Sequence, residues 1–252
     1  MKAMVIIPTY NERDNIEPLV SKILALGENF HITIVDDNSE DGTGDIADGL
    51  AETYSRVHVI HRPVKQGLGT AYVTGFKYAL QKEAEYIFEM DADFSHDPKS
   101  LPDFLSMMDS YDVVIGSRYA KGVAVVNWSL RRLCVSLAAN LYARWITGLR
   151  LNDCTSGFKC FKREVLRNID LIKVYANGYA FQVEMNFRAH RLGYRLGELP
   201  IIFFDRHSGH SKMSIKIARE AFWHLFKMRI SSLLRPMEFA PRVPAPYPRQ
   251  AA

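Results

Sequence analysis

Two aspartates, Asp91 and Asp93, close a short apolar and aromatic run, Tyr86-Ile-Phe-Glu-Met90. That run has the pattern of a mostly buried strand. Side chains two apart in an extended segment point the same way. The two carboxylates are therefore expected to converge just past the strand's carboxyl end. Paired carboxylates there make a hard-oxygen site for Mg²⁺ or Mn²⁺, of the kind that holds a diphosphate. Pro98 opens the next helix, with Asp97 or Ser95 able to cap it. A lone Asp-x-Asp is more often a helix-capping turn than a metal site, so its neighbours decide the matter.

Those neighbours are other polar loops placed by alternating strands and helices. Ala3 to Ile7 reads as a central strand closed by Pro8, followed by the loop 8–12 and a helix capped by Asn15 that Gly27 stops. His31 to Val35 is a second strand ending in Asp36-Asp37-Asn38-Ser39, and a helix runs from Gly42 and Thr43 to about Tyr54. Val57 to Ile60 is a third strand, and Lys65-Gln-Gly-Leu-Gly-Thr70 leads into a helix over 71–82. After the acidic strand come a helix near 98–109 and a strand over 112–116. Such alternation gives βαβ units, hence an α/β fold with a mostly parallel sheet and helices on both faces. Ligands of open sheets sit beyond the carboxyl ends of the strands, where loops 8–12, 36–39, 65–70 and 91–95 all fall.

The second half is less regular. Trp128 to Gly148 carries an apolar stripe (Leu130, Leu133, Leu137, Leu141, Trp145) beside Arg131, Arg132 and Arg144. It fits a core helix or a membrane-facing one equally. Residues 178–190 read as helix and Ile201 to Phe204 as a strand. A basic loop, Asp205-Arg-His-Ser-Gly-His-Ser-Lys-Met213, precedes a helix over 214–234 that mixes Phe222, Trp223 and Phe226 with Lys216, Arg219, Lys227 and Arg229. Five of the eleven prolines fall in 236–252, which reads as an extended or disordered tail. Residues 1–235 are thus expected to form one domain.

At 252 residues the chain can bury a full core, and its 48% hydrophobic and 24% charged content is ordinary for a globular protein. The +4 net charge is uneven. From Pro200 onward nine Lys/Arg face three Asp/Glu, a net +6 that leaves −2 for residues 1–199 and suggests an anionic surface or phosphate as partner. Interleaving of that charge with aromatics at helical spacing suits a lipid interface better than nucleic acid. Cys134, Cys154 and Cys160 lack metal-ligand spacing and read as reduced thiols. The N-terminus has no signal-peptide plan, and no apolar run is long enough to span a membrane.

Taken together, Ile-Pro-Thr-Tyr-Asn-Glu (7–12), Val-Asp-Asp-Asn-Ser-Glu-Asp-Gly-Thr (35–43), Gly-Leu-Gly-Thr-Ala (67–71), Met-Asp-Ala-Asp-Phe-Ser-His-Asp-Pro (90–98), Gly-Ser-Arg-Tyr (116–119) and Asp-Cys-Thr-Ser-Gly-Phe (153–158) resemble an inverting family-2 glycosyltransferase of GT-A fold. More closely, residues 1–235 resemble the dolichol-phosphate (polyprenol-phosphate) mannosyltransferases. Any one of these motifs is weak, but six in order are specific.

The resemblance implies roles residue by residue. Pro8, Tyr10, Glu12, Val35, Asp37, Gly67, Asp91, Ala92 and Asp93 surround the nucleotide of GDP-mannose. Asp91 and Asp93 hold Mg²⁺ or Mn²⁺, and Asp93, Arg118, Arg206 and Lys212 carry the chemistry. Arg118, one of Arg131 and Arg132 (Arg132 is favoured), Arg206 and Lys212 surround the phosphate of a polyprenyl or dolichyl phosphate. Some relatives have Gln at Ser95 and Glu at His210. The resemblance also implies a peripheral enzyme on the cytoplasmic face of the plasma membrane or endoplasmic reticulum, or one anchored by small partner subunits. A UDP-glucose-dependent glucosyltransferase and a non-catalytic nucleotide-sugar-binding subunit are the rival readings. The acceptor chemistry is consistent: a phosphate monoester with a second pKa of about 6 is already a dianionic nucleophile and needs no general base.

Overall fold

In the computed structural model the described residues are 2–174, 176, 178–205 and 215–234. The strands are β1 (Ala3–Thr9), β2 (Phe30–Asp36), β3 (Val57–His61), β4 (Tyr86–Glu89), β5 (Val113–Ser117), β6 (Val125–Val126), β7 (Lys159–Lys162), β8 (Leu196–Pro200) and β9 (Phe203–Phe204). The α-helices are α1 (Arg13–Leu24), α2 (Thr43–Thr53), α3 (Leu68–Gln81), α4 (Leu101–Met107), α5 (Leu130–Thr147), α6 (Arg163–Asn168), α7 (Tyr179–Arg191) and α8 (Ile215–Leu234). One sheet of seven strands runs β3-β2-β1-β4-β7-β5-β8, and β6 and β9 pair separately.

Alternation along β1 builds a core on each face. Ala3, Val5 and Ile7 join the cluster formed with α1, α2 and α4, while Met4 and Ile6 join the cluster with α3 and α7. Central parallel strands buried on both faces read as continuous apolar runs, as β1 does. At Gly75 the approach of α3 to β1 is so close that a β-carbon would lie 2.2 Å from Ile6 Cγ2.

β1, β2, β3 and β4 are mutually parallel, and β5 is parallel to β8. β7 runs antiparallel to both β4 and β5, which the strand–helix rhythm did not indicate. Its reversed direction matters for the site. Lys159, the first residue of β7, lies opposite Glu89, the last of β4. The 153–158 loop therefore enters at the same sheet edge where the parallel strands end.

Three local expectations change. The N-cap of α1 is Glu12, and Asn15 instead donates to Glu12 Oε2 at 2.8 Å. Of the strand expected at 201–204 only Phe203–Phe204 forms one (β9), and a strand not expected, β8, precedes it at Leu196–Pro200. β8 escaped notice because Glu198 interrupts its apolar pattern, and that carboxylate accepts from the Asn152 and Asp153 amides. Finally, the apolar stripe of α5 is not core, since Leu130 is 80% exposed and Trp145 75%. Trp223 and Phe226 on α8 are exposed as well. Among the described residues, no helix is long and apolar enough to cross a membrane.

Candidate active site

A cavity of about 590 Å³ opens at the carboxyl ends of β1, β2 and β4. Pro8, Tyr10, Glu12, Asp37, Gly67, Asp91, Ala92 and Asp93 line it, with Arg132 on another wall. Tertiary structure thus gathers short loops spread over residues 8–93 into one space, as the geometry of an open parallel sheet requires. Val35 is the exception among the residues expected at the nucleotide. Its side chain is fully buried in the core, because it sits inside β2 and packs on the α3 face.

Each wall is braced from behind. Asp36 accepts from Thr9 Oγ1 at 2.8 Å and from Ser39 Oγ at 2.6 Å, tying the loops after β1 and β2 together. Asp37 forms a buried ion pair with Arg62. Arg62 also donates to Thr70 Oγ1 (2.7 Å) and to the Gly67 carbonyl (3.2 Å). One guanidinium therefore positions both Asp37 and the glycine loop. Arg62 is a brace the sequence reading missed; its only signal is a cation directly after β3. Gly67 has φ +100, a conformation glycine adopts without strain.

The acidic pair is held with similar care. Tyr72 donates its hydroxyl to Asp91 Oδ1 at 3.0 Å. Burial, and then the Asp91 and Glu89 charges, push the Tyr72 phenol well above its ordinary pKa, so it stays a donor. The Asp91 amide donates to His96 Nδ1 at 3.3 Å, which places the neutral ring's proton on Nε2. His96 is buried, stacked on Phe158 at 4.9 Å, and is a brace for the acidic turn. Asp93 Oδ1 accepts from the Ser95 amide (3.1 Å) and hydroxyl (2.6 Å). Asp97 caps the following 3₁₀ turn through the Lys99 amide, as the sequence suggested. Among the described residues no group of three or more His, Cys, Asp or Glu forms a complete metal cage. Two hard carboxylates on the cavity wall fit a divalent ion that takes its remaining ligands from phosphate and water.

Behind Asp91 lies a buried ion pair that sequence reasoning did not find. Glu89 and Lys159 are both fully buried, with Oε2 and Nζ 3.8 Å apart. Burial raises the Glu89 carboxyl to about 7 against the pull of Lys159, and burial lowers the Lys159 ammonium to about 8 against the pull of Glu89. Lys159 also donates to the Gln182 carbonyl at 3.0 Å and to its side-chain oxygen. Gln182 itself lines the cavity.

The arginines expected at an acceptor phosphate divide sharply. Arg118 is 4% exposed and does not line the cavity. Its Nε and Nη2 grip both Asp153 oxygens at 2.6 and 2.7 Å, and Nη2 reaches Thr155 Oγ1 at 2.8 Å. Burial alone would raise the Asp153 carboxyl, but the guanidinium holds it below its ordinary value. Opening a buried pair of this kind costs about 3–5 kcal/mol, so Arg118 is a clamp between the turn after β5 and the 153–155 loop. The guanidinium expected at an acceptor phosphate is thus held here by both oxygens of Asp153. Arg132 is different: it lines the cavity, stacks over Trp128 at 4.2 Å, and pairs with Asp205 at 2.5 Å. The two side chains of that pair are 27% and 33% exposed, and exposed pairs are worth only about 0.2–1 kcal/mol. Arg206 and Lys212, the other expected phosphate ligands, lie outside the described residues, as do His207 and His210.

Two further contributors were not anticipated. Lys65 Nζ sits 3.3 Å above the centre of the Tyr10 ring at the cavity wall. Helix α8 supplies Glu220, Ala221 and His224 to the lining, with His224 Nε2 2.9 Å from Glu184 Oε2 on α7. The sequence showed α8 only as a basic, aromatic helix, and which face meets the cavity depends on its docking.

A family model described as glycosyl transferase family 2 matches residues 4–170. The chain is 44% identical over 235 residues to polyprenol monophosphomannose synthase of Mycolicibacterium smegmatis, covering 92% of this chain and 89% of that one. It is also 44% identical over 221 residues to undecaprenyl-phosphate mannosyltransferase of Micrococcus luteus, covering 88% and 91%. Among solved structures it resembles glucosyl-3-phosphoglycerate synthase from Mycobacterium tuberculosis in complex with Mn²⁺, UDP and product (TM-score 0.64, 18% identity, 92% and 79% covered). A mannosyltransferase from Pyrobaculum calidifontis in complex with GDP-mannose and Mn²⁺ is similar at TM-score 0.58 and 18% identity, with 93% and 64% covered. At that identity the structural matches speak to the fold alone.

Proposed function

The chain belongs to glycosyltransferase family 2, and on that footing we propose that it transfers mannose from GDP-mannose to a polyprenyl phosphate with inversion, releasing GDP. One observation carries the reading: a single cavity joins the acidic pair and the nucleotide-loop residues at one side to an exchangeable arginine, Arg132, at another. The two mannosyltransferases that share 44% of its residues support the sugar and the lipid phosphate.

In this reading residues 1–235 work as one catalytic unit. Pro8, Tyr10, Glu12, Asp37, Gly67 and Ala92 receive the nucleotide. Asp91 and Asp93 hold Mg²⁺ or Mn²⁺, which when bound supplies positive charge for the diphosphate. Tyr72, Ser95 and His96 keep those carboxylates in place. Arg132, with Arg206 and Lys212, neutralises and orients the acceptor phosphate, whose dianion is the nucleophile. A phosphate oxygen bonds to the anomeric carbon from the face opposite GDP, the carbon–diphosphate bond breaks, and the electron pair leaves with GDP. The exposed apolar faces of α5 and α8 would rest on the cytoplasmic leaflet that presents the lipid, alone or with small anchoring subunits.

The test is a donor screen. Purified protein with a polyprenyl phosphate and Mn²⁺ or Mg²⁺ should transfer label from GDP-mannose, and not from UDP-glucose, and chelation should abolish transfer. Asp93→Asn should cut the rate by a factor of about a hundred, the scale of losing one main electrostatic stabiliser. Preferential transfer from UDP-glucose would replace this reading with the glucosyltransferase one.

A further inference from the structure

Among the described residues Arg132 has one charged partner, Asp205. The Asp205 carboxylate sits 2.5 Å from Nη1 of Arg132, and it is Arg132 that lines the cavity where an acceptor phosphate would bind. The carboxylate is delivered there by backbone, not by chance of a floppy side chain. Phe203 and Phe204 pair with Val125 and Val126, and the Asp205 amide donates to the Val126 carbonyl at 3.2 Å. Trp128 packs its ring against Phe203 at 5.4 Å and under the Arg132 guanidinium at 4.2 Å. Both guanidinium and carboxylate stay partly exposed, unlike the sealed Arg118–Asp153 pair. A partly exposed ion pair exchanges partners readily.

We propose that Asp205 is an internal stand-in for the acceptor's phosphate: it occupies Arg132 when the site is empty, yields to the incoming phosphate, and returns to expel the product. The inference rests on the reading that the acceptor is a phosphate monoester. The charges give it direction. The monoester enters mostly as a dianion, since its second pKa is about 6. After transfer the phosphate is a diester carrying one charge, and the charge it has lost is carried away by GDP. A tethered carboxylate, with one charge and a high effective concentration, loses Arg132 to a dianion but competes well against a monoanion. Asp205 thereby becomes a specificity-determining residue that favours phosphate monoesters over diesters.

The experiment compares wild type, Asp205→Asn and Asp205→Glu, each first shown to melt as a folded protein. Acceptor KM is measured with a short-chain polyprenyl phosphate, and inhibition constants with the mannosyl phosphodiester product. Direct calorimetric binding of the prenyl phosphate is measured alongside. In Asp205→Asn the acceptor KM should fall roughly threefold, the scale of one partly exposed ion pair. Its product inhibition constant should fall by more, while Asp205→Glu stays near wild type in both. The inference is overturned if Asp205→Asn raises the acceptor KM and leaves product inhibition unchanged, which marks Asp205 as a mere prop for Arg132. It also fails if Asp205→Glu behaves like Asp205→Asn, because charge is then not the agent. Failure of the functional reading looks different: wild type would transfer no mannose to prenyl phosphate, while calorimetry could still show Asp205→Asn binding the monoester more tightly.

Discussion

At the scale of single residues, the least expected feature is the pair of opposite charges sealed behind the acidic turn. Glu89 and Lys159 have no contact with solvent, and among the described residues only the Lys159 charge and the Gln182 side chain offset the burial of the Glu89 carboxylate. Removing one member strands the other charge, which is far worse than removing both. Lys159→Met should therefore lower stability by about 3–5 kcal/mol. The double variant Glu89→Gln with Lys159→Met should recover most of that loss, giving a large coupling energy in a double-mutant cycle. Chemical denaturation of the four proteins checks it. If the double variant is as unstable as the sum of the two singles, the pair is not coupled.

At the scale of elements, the Arg118–Asp153 clamp joins the end of β5 to the loop that enters β7. Glu198 on β8 holds the same loop through the Asn152 and Asp153 amides, so β5, β7 and β8 are tied together through the loop that carries the buried Asp153. Arg118→Met should behave as a folding variant: a loss of about 3–5 kcal/mol with donor binding weakened only as the folded fraction falls. The sign of its pH dependence follows from Asp153. Its folded pKa lies below its ordinary value, so its stabilising contribution is present above the unfolded carboxylate range, about 4, and is lost as pH falls through the lower folded value. Thermal melts from neutral to acid pH should therefore show wild type losing stability more steeply than Arg118→Met. A parallel pair of curves would remove Arg118 as the cause.

At the scale of the whole molecule, exposed apolar side chains collect on two helices. Leu141 and Trp145 on α5, and Trp223, Phe226 and Ile230 on α8, stand in solvent, and the two helices are joined where Tyr142 stacks on Phe222 at 4.5 Å. α8 also walls the cavity through Glu220, Ala221 and His224. One body thus carries an exposed apolar face on α5 and α8 beside a polar cavity, and the proposed function has that face meet a bilayer. Flotation should show the protein rising with anionic vesicles and less so in high salt. Trp145→Ser combined with Trp223→Ser should reduce that binding by about a hundredfold or more, at about 1.5–3 kcal/mol for each large side chain fully buried. Unchanged flotation in the double variant would leave anchoring to another surface or to a partner subunit.

The alternation of apolar residues in β1 and the polar loops after β1, β2, β3 and β4 were sufficient, by themselves, to indicate an α/β sheet with a site at its carboxyl edge. Side-chain period and turn chemistry are local properties, and a sequence carries them openly. The six ordered motifs likewise identified the family, because each lies within a few consecutive residues. Pairing between distant groups is another matter. Nothing local distinguishes Arg118, whose partner Asp153 is 35 residues away, from Arg132, whose partner Asp205 is 73 away. One is sealed and structural, the other open and exchangeable, and only their burial separates them. Arg62 behind Asp37, Lys159 behind Glu89 and the outward turn of the α5 stripe were decided in the same way. Each depends on which face of an element packs against which neighbour, and that is settled by the free energy of the assembled core.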